Sequence, residues 1–364
     1  MAKLSSEGRS EPVTLLSITG RSRPSADITI PFYYATTTME TSEDTTQQIR
    51  NTIESMGAGL SVVHVETLST LPHSFVSRVT VDDGTTLIFK RAGSEELASG
   101  MHKELVVNRD VLSKLPKKVG PTLLYNSDIT TLPWLVFEDI SVSHRPVSLG
   151  GPPSFRYIEK FVQALGKTHA QSWKLDLQGL FSNVRGDVLV TDGSEHVAPV
   201  LDDFLRTCET DRFPPRTFDL VKKIRDNIPR IVTLLTGPSV LIHGDAHYGN
   251  ALYAEDALLI DWALAVIGPG EVDLCHALAM NLPRYFASEY EPVAIHQYVQ
   301  TCSKFGWDIY EDEVLERYRM CLLLTVVVAV GMKTVAGMQD TVWSYMFTNA
   351  VHSAIDHDSL AYLG

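Results

Sequence analysis

The stretch "LIHGDAHYGN", residues 241–250, places two histidines, an aspartate and an asparagine within eight positions. His243, Asp245 and His247 alternate, so an extended backbone projects them from one side, as in the metal-ligand cluster of a hydrolase. A further aspartate, Asp261, stands eleven residues beyond Asn250 at the end of "LLIDW". "SVLIHG" reads as a strand that delivers His243, Gly244 and Asp245, and a loop follows to Asn250. "NALY" and "ALLIDW" read as a short strand pair turned by "AEDA", which brings Asp245, Asn250 and Asp261 to one end of a hairpin. Carboxylate and amide oxygens are hard donors suited to Mg²⁺. The loop leaves one carboxylate to accept a proton while the others hold metal. Two chemistries are therefore open: hydrolysis on a metal held by His243, Asp245 and His247, or some other chemistry in which the oxygens of Asp245, Asn250 and Asp261 share the roles of proton acceptor and metal ligand.

Upstream elements must position these groups. "SVVHVETLS" alternates and is β-branched, and "FVSRVTVDDGTTLIFKRA" reads as a hairpin with Asp83-Gly84 at its turn. "SEELASGMHKELVVNRDVLSKL" reads as one helix, with Ser94, Glu95 and Glu96 at its start and Pro116 ending it. "PTLLYNSD" and "LPWLVFEDI" are two further strands. Residues 61–140 thus run β-β-β-α-β-β, an antiparallel sheet with one helix. After the connector "SVSHRPVSLGGPPS" the chain is mostly helical. "FRYIEKFVQALGKTHAQSW" carries Phe155, Ile158, Val162, Leu165 and His169 along one side. Helices also follow at "EVDLCHALAMNL", "EPVAIHQYVQTCSKF", "EVLERYRMCLLLTVVVAVGMK" and "VWSYMFTNAVHSAI".

"HGDAHYGN" followed by "LLIDW" resembles the catalytic loop and metal-binding strand of aminoglycoside phosphotransferase-like small-molecule kinases of the choline-kinase type. Their pattern is H-G-D-x-x-x-x-N and then I-D-W or I-D-F, parallel to the two corresponding motifs of protein kinases. The resemblance continues in "TLIFK", "HKELVVNRDVLSKL", "VGPTLLYNSD", "LVFEDI", "LGKTHAQSW" and "GPGEVDLCHAL", in order over roughly residues 61–280. It implies an α+β, two-lobed protein-kinase-like fold: a small antiparallel-sheet N-lobe with one helix and a large, mainly helical C-lobe. Residues 1–45 would form an N-terminal extension or poorly ordered arm, 46–140 the nucleotide-binding lobe, and 141–364 the lobe with the catalytic loop and substrate site. Within the arm, "VTLLSITG" reads as a strand able to dock, and Met39 as an alternative start.

The resemblance also implies roles. Asp245 accepts or orients the proton of an attacking hydroxyl, and Asn250 and Asp261 hold Mg²⁺ that bridges the phosphates of ATP. Lys90 contacts the α and β phosphates, with Arg91 its rival on the strand. Glu104 holds Lys90, with Glu96 its rival on the helix. Glu138 and Ile140, in the hinge-like "FEDI", fall to the nucleotide. His243 braces the loop and His247 belongs to the family's variable stretch. Asp273 braces the loop from its helix, and Trp262 packs. The acceptor would be an aminoglycoside-, amino alcohol- or sugar-like molecule. The sequence departs from the family between the first two strands. "LSTLPHSFVSR" has no glycine, and Pro72 removes a backbone donor, leaving the hydroxyls of Ser69, Thr70 and Ser74 to cover the phosphates. A non-catalytic nucleotide-binding relative is the alternative this loop leaves open.

Bulk properties set the outer bounds. A chain of 364 residues is long enough for two lobes with real cores. A formal charge of −13 is ill suited to a phosphate backbone, which sets nucleic acid aside, and is compatible with a cationic acceptor. The acidic runs "LDDFLRTCETD" and "ASEYEP" read first as ordinary solvated surface. Cys208, Cys275, Cys302 and Cys321 form no C-x-x-C, and a reducing, cytoplasmic setting follows. The N-terminal stretch lacks the basic-then-apolar order of a signal peptide. "CLLLTVVVAVGM" is shorter than the roughly 20 residues a membrane span needs, so it reads as a buried helix.

Overall fold

Alternating strands with one helix per face build the first lobe. The computed structural model describes residues 43–56, 59–71, 74–95, 98–127, 132–147, 154–177, 179, 194–209, 212–235, 237–334 and 340–364. Strands β1 (Val62–Leu71), β2 (Ser74–Val81), β3 (Thr86–Ala92), β4 (Leu123–Asn126) and β5 (Trp134–Glu138) form an antiparallel sheet of order β1-β2-β3-β5-β4. The β2–β3 turn is the expected one. Gly84 has φ +84° and donates to the Val81 carbonyl at 2.9 Å, while Asp83 accepts from Thr85 N at 2.8 Å.

The two faces of this sheet differ. Leu87 and Phe89 of β3 join Val79, Val81 and Val136 beneath helix α1 (Glu43–Ser55), whose Ile49 and Ile53 are fully buried. The N-terminal extension was expected to run to residue 45, and no helix was expected before residue 61. Instead a helix begins at Glu43 and covers the sheet. Each buried isoleucine contributes roughly 1.5–3 kcal/mol, enough to hold a polar helix on an apolar face. Met39 and "VTLLSITG" lie outside the described residues. The opposite face, with Ile88 and Ala92, packs against helix α2 (Ala98–Val106) through Met101 and Leu105.

The single helix expected from Ser94 to Leu115 is broken up. It begins at Ala98, becomes a π-helix over Val107–Val111, and ends in a 3₁₀ turn over Leu112–Lys114. Asn108 supplies a reason. Its Nδ2 donates to the Glu104 carbonyl at 2.8 Å and so competes with the regular helical bond.

In the second lobe, β6 (Arg145–Pro146), β8 (Ala251–Tyr253) and β9 (Ala257–Leu259) form one small sheet, and β7 (Val240–Ile242) pairs with β10 (Val266–Gly268). The helices are α3 (Phe155–Ser172), α4 (Ser194–Thr207), α5 (Pro215–Asp226), α6 (Ile228–Leu234), α7 (Glu271–Cys275), α8 (Arg284–Lys304), α9 (Glu311–Thr334) and α10 (Asp340–Asp356). α7 continues as a π-helix over His276–Met280. The apolar run of α9 is core: Leu322, Leu323, Val326 and Val330 are fully buried. Among the described residues, no helix is long and apolar enough to cross a membrane.

Candidate active site

Lys90 sits on β3, on the α2 face with Ile88 and Ala92. Its Nζ donates to Glu104 Oε2 of α2 at 2.6 Å and to Asp261 Oδ1 at 2.7 Å. Lys90 and Glu104 are both buried. Burial works against the Lys90 ammonium, but Glu104 and Asp261 outweigh it and hold its pKa above the usual lysine value. For Glu104 burial dominates and raises the carboxyl pKa, with Lys90 opposing. Arg91, the rival on the strand, is not part of this arrangement. Arg91 donates to Gln48 of α1 at 2.8 Å, and Glu96 lies outside the described residues.

The loop bearing Asp245 is held from behind. Gly244 has φ +78°, and a Cβ there would stand 2.1 Å from the Leu264 carbonyl oxygen, so only glycine fits. Asp273 of α7 is fully buried and accepts from His243 N at 2.6 Å and Gly244 N at 3.0 Å. His169 of α3 lies 3.2 Å from the same carboxylate through Nε2 and 2.9 Å from Tyr298 Oη through Nδ1. The His243 ring rests against Trp262, centroids 4.7 Å apart, and its Nε2 donates to the Ile260 carbonyl at 2.8 Å. His243 and Asp273 thus brace the loop, and Trp262 packs, as expected.

Asn250 Nδ2 donates to both the carbonyl and Oδ2 of Asp245, each at 2.9 Å. With its nitrogen so committed, the amide presents Oδ1 away from Asp245. Ile260 N donates to the Asn250 carbonyl at 3.0 Å, and Leu259 N donates to the Val119 carbonyl at 2.7 Å. The hairpin is therefore tied to the Asp245 loop on one side and to the first lobe on the other. Asp261 then takes a left-handed φ of 65°, which aspartate tolerates better than most residues. One of its oxygens meets Lys90, and its side chain is 39% exposed, leaving the other open. Asn250 Oδ1 and Asp261 Oδ2 are hard oxygen donors, and the pair fits Mg²⁺.

The His-Asp-His alternation does not make a metal cage. His243 points to Ile260, and His247 Nδ1 accepts from Gly249 N at 3.2 Å. Among the described residues, no three His, Cys, Asp or Glu side chains gather as a metal cluster. Instead two histidines flank the Asp245 carboxylate: His247 Nε2 at 3.5 Å from Oδ2 and His276 Nε2 at 3.7 Å from Oδ1. Burial alone would raise the Asp245 pKa, but His247, His276 and His243 hold it well below the usual carboxylate range. Burial also opposes the charge on His247, yet Asp245 prevails and raises its pKa. His276 goes the other way: burial lowers it to about 4. Sequence reasoning missed His276. Its signal was the spacing from Asp273, three residues and one helical turn away on the same face.

Glu138 and Ile140 end the first lobe. Thr122 N and Oγ1 donate to the Glu138 carboxylate at 2.6 and 2.8 Å, and Lys118 pairs with it. The Ile140 side chain is buried, and its carbonyl accepts from Ser143 N and His144 N. Glu138 N in turn donates to the Thr122 carbonyl at 3.0 Å. Of the glycine-free turn, Pro72 and His73 lie outside the described residues, as does the Thr70 side chain. Ser74 is buried opposite Ala92, and Ser69 is half-buried.

A lysine–glutamate pair in a five-stranded lobe, facing Asp245, Asn250 and Asp261 on loops of a helical lobe, defines a two-lobed, kinase-like phosphotransferase. The chain belongs to the phosphotransferase enzyme family, whose model matches residues 70–312, about two-thirds of its length. Solved structures share the fold. A macrolide 2'-phosphotransferase type I is 15% identical with a TM-score of 0.55, covering 85% of this chain and 97% of its own. A spectinomycin phosphotransferase in complex with ADP and spectinomycin is 16% identical with a TM-score of 0.53, covering 86% and 98%. A choline/ethanolamine kinase family protein from Mesorhizobium loti is 17% identical with a TM-score of 0.53, covering 87% and 98%. No curated protein sequence matches the chain.

Proposed function

We propose that the protein transfers the γ-phosphoryl group of ATP to a hydroxyl of a small molecule. The observation that carries this reading is that Lys90 binds Glu104 and Asp261 while Asn250 binds Asp245, the two sets being joined by the backbone bond from Ile260 N, next to Asp261, to the Asn250 carbonyl. Lys90, kept protonated by Glu104 and Asp261, is placed to meet nucleotide phosphates. Asn250 and Asp261 would hold Mg²⁺, which neutralises phosphate charge when bound. Asp245 orients the acceptor hydroxyl. As the acceptor oxygen bonds to the γ-phosphorus, the bond to the bridging oxygen of ADP breaks and the hydroxyl proton passes to Asp245 or to solvent. A carboxylate with so low a pKa is a weak base, and orientation suits a transition state in which the phosphoryl group is already loosely bonded.

The acceptor is read from the second lobe. Among the described residues, part of the acidic runs is neutralised, while Glu209 and Glu289 are exposed. Asp202 pairs with Arg225 at 2.5 Å, Asp203 pairs with Arg206, and Glu291 is buried against Tyr318 and His357. The proposal therefore rests on a hydroxyl acceptor, with amino alcohols, sugars, aminoglycosides and macrolides as the classes to try. The test is nucleotide binding followed by ADP release on that panel, with ATP and GTP compared. Mg-dependent binding with release on at least one class supports the reading. A folded protein that binds neither nucleotide overturns it.

A further inference from the structure

A cavity of about 400 Å³ opens between α3 and α8, and no residue of the candidate active site lines it. Both helices present the same pattern to it. α3 offers Lys160, Gln163, Ala164 and Lys167, and α8 offers Gln297, Gln300, Thr301 and Lys304. In each set the spacing is i, i+3, i+4, i+7, one continuous helical face. A surface stripe of that kind is usually apolar where two helices meet; here it is amide and ammonium. The small residues let the helices close at its floor. A Cβ on Gly166 would stand 3.2 Å from Thr301 Cβ, and Gln163 Nε2 donates to Gln297 Oε1 at 3.2 Å.

The charges at this cavity are unbalanced. Lys160, Lys167 and Lys304 face a single acid, Asp256, which lies 3.2 Å from His144. Among the described residues, Lys167 and Lys304 have no carboxylate within ion-pair distance, in a chain whose net charge is −13. Burial, and behind it the ammonium groups of Lys117 and Lys304, pull the Lys167 pKa below the usual lysine value despite Asp256. Lysines that outnumber the acids around them repel one another, and an anion between them removes that cost.

We propose that this cavity is a second ligand site, for a small molecule bearing a phosphate group, with Lys167 and Lys304 on the anion and the glutamine amides on the rest. A volume near 400 Å³ exceeds what inorganic phosphate fills and falls in the range of small-molecule sites. Inorganic phosphate and a phosphorylated metabolite share the recognising chemistry, and the experiment separates them.

The full chain is first saturated with Mg²⁺ and a non-hydrolysable ATP analogue, so that phosphate positions in the catalytic centre are filled. It is then titrated calorimetrically with inorganic phosphate and, separately, glycerol 3-phosphate at low ionic strength. A saturable event with either probe is expected, at least tenfold weaker in Lys167→Gln/Lys304→Gln. It should be unchanged in Lys222→Gln on the exposed face of α5. Tighter binding of glycerol 3-phosphate than of phosphate assigns the cavity to an organic ligand. The charge-keeping Lys167→Arg/Lys304→Arg should bind within a few-fold of the unsubstituted chain, which retains a test where the neutral variant fails to fold. No saturable event in the unsubstituted chain, or equal affinity in the folded glutamine variant, overturns the proposal.

Discussion

Replacing Asp273 with alanine should cost both stability and turnover, and the size of each loss follows from its contacts. The carboxylate is fully buried and accepts from His243 N and Gly244 N, with His169 beside it. Alanine leaves two buried backbone donors without a partner, at 1–3 kcal/mol each, so the loss is about 4 kcal/mol. Unfolding entropy near 2.1 cal/mol/K per residue over 364 residues makes each kcal/mol worth about 1.3 °C. The melting temperature should fall by about 5 °C. These same two amides fix the backbone that leads into Asp245, and a displacement near 1 Å costs on the order of a hundredfold in rate. Asp273→Asn keeps one acceptor and should lose about half the stability. Differential scanning calorimetry and an ADP-release assay on the same preparations read both quantities. An alanine variant with unchanged melting temperature and turnover would refute the bracing role.

Other perturbations separate the remaining contacts. Gly244→Ala would drive a Cβ into the Leu264 carbonyl from a left-handed backbone. It should destabilise the chain by at least about 1–3 kcal/mol in a urea titration, and a neutral result would mean the turn is not as described. Glu104→Gln leaves Lys90 with Asp261 alone, so stability should drop by about 3 kcal/mol, the low end for breaking a buried pair, and nucleotide affinity should fall with it. His276 gives stability a pH dependence. Its folded pKa, about 4, lies below its unfolded value of about 6.5, so between these values the unfolded chain binds more protons and stability falls as pH falls. The loss at about pH 4.5 is roughly 2.5 kcal/mol and should vanish in His276→Asn, as urea midpoints would show. His247 acts in a different window. Its raised folded pKa adds stability that is present below about pH 6.5 and is lost as pH rises through the folded value.

The site was legible in the sequence wherever one short segment fixed the geometry. Asp245 and Asn250 lie on a single loop, and Asp261 ends the hairpin that follows, so spacing alone placed three side chains. Lys90 and Glu104 were singled out from Arg91 and Glu96 only by the family resemblance, and the two form a buried pair. What escaped was tertiary. The contact of His276 with Asp245 depends on how α7 and its π-helical extension pack against the loop. α1 was hidden because only Ile49 and Ile53 mark its buried side within a Thr- and Gln-rich run. The π-helix after α2 turns on one side chain, Asn108, binding a backbone carbonyl, which no hydrophobic period reveals.

The most direct measurement is transfer of the γ-phosphoryl group of Mg-ATP to an acceptor hydroxyl, followed by ³¹P NMR, in the unsubstituted chain and in Asp245→Asn. Asp245 meets Asn250 and two histidines but contributes to no core, so the variant should fold and bind nucleotide normally. A phosphomonoester should form with the unsubstituted chain and slow by on the order of a hundredfold or more in the variant. Transfer at an equal rate by the folded Asp245→Asn chain would contradict the role of this carboxylate.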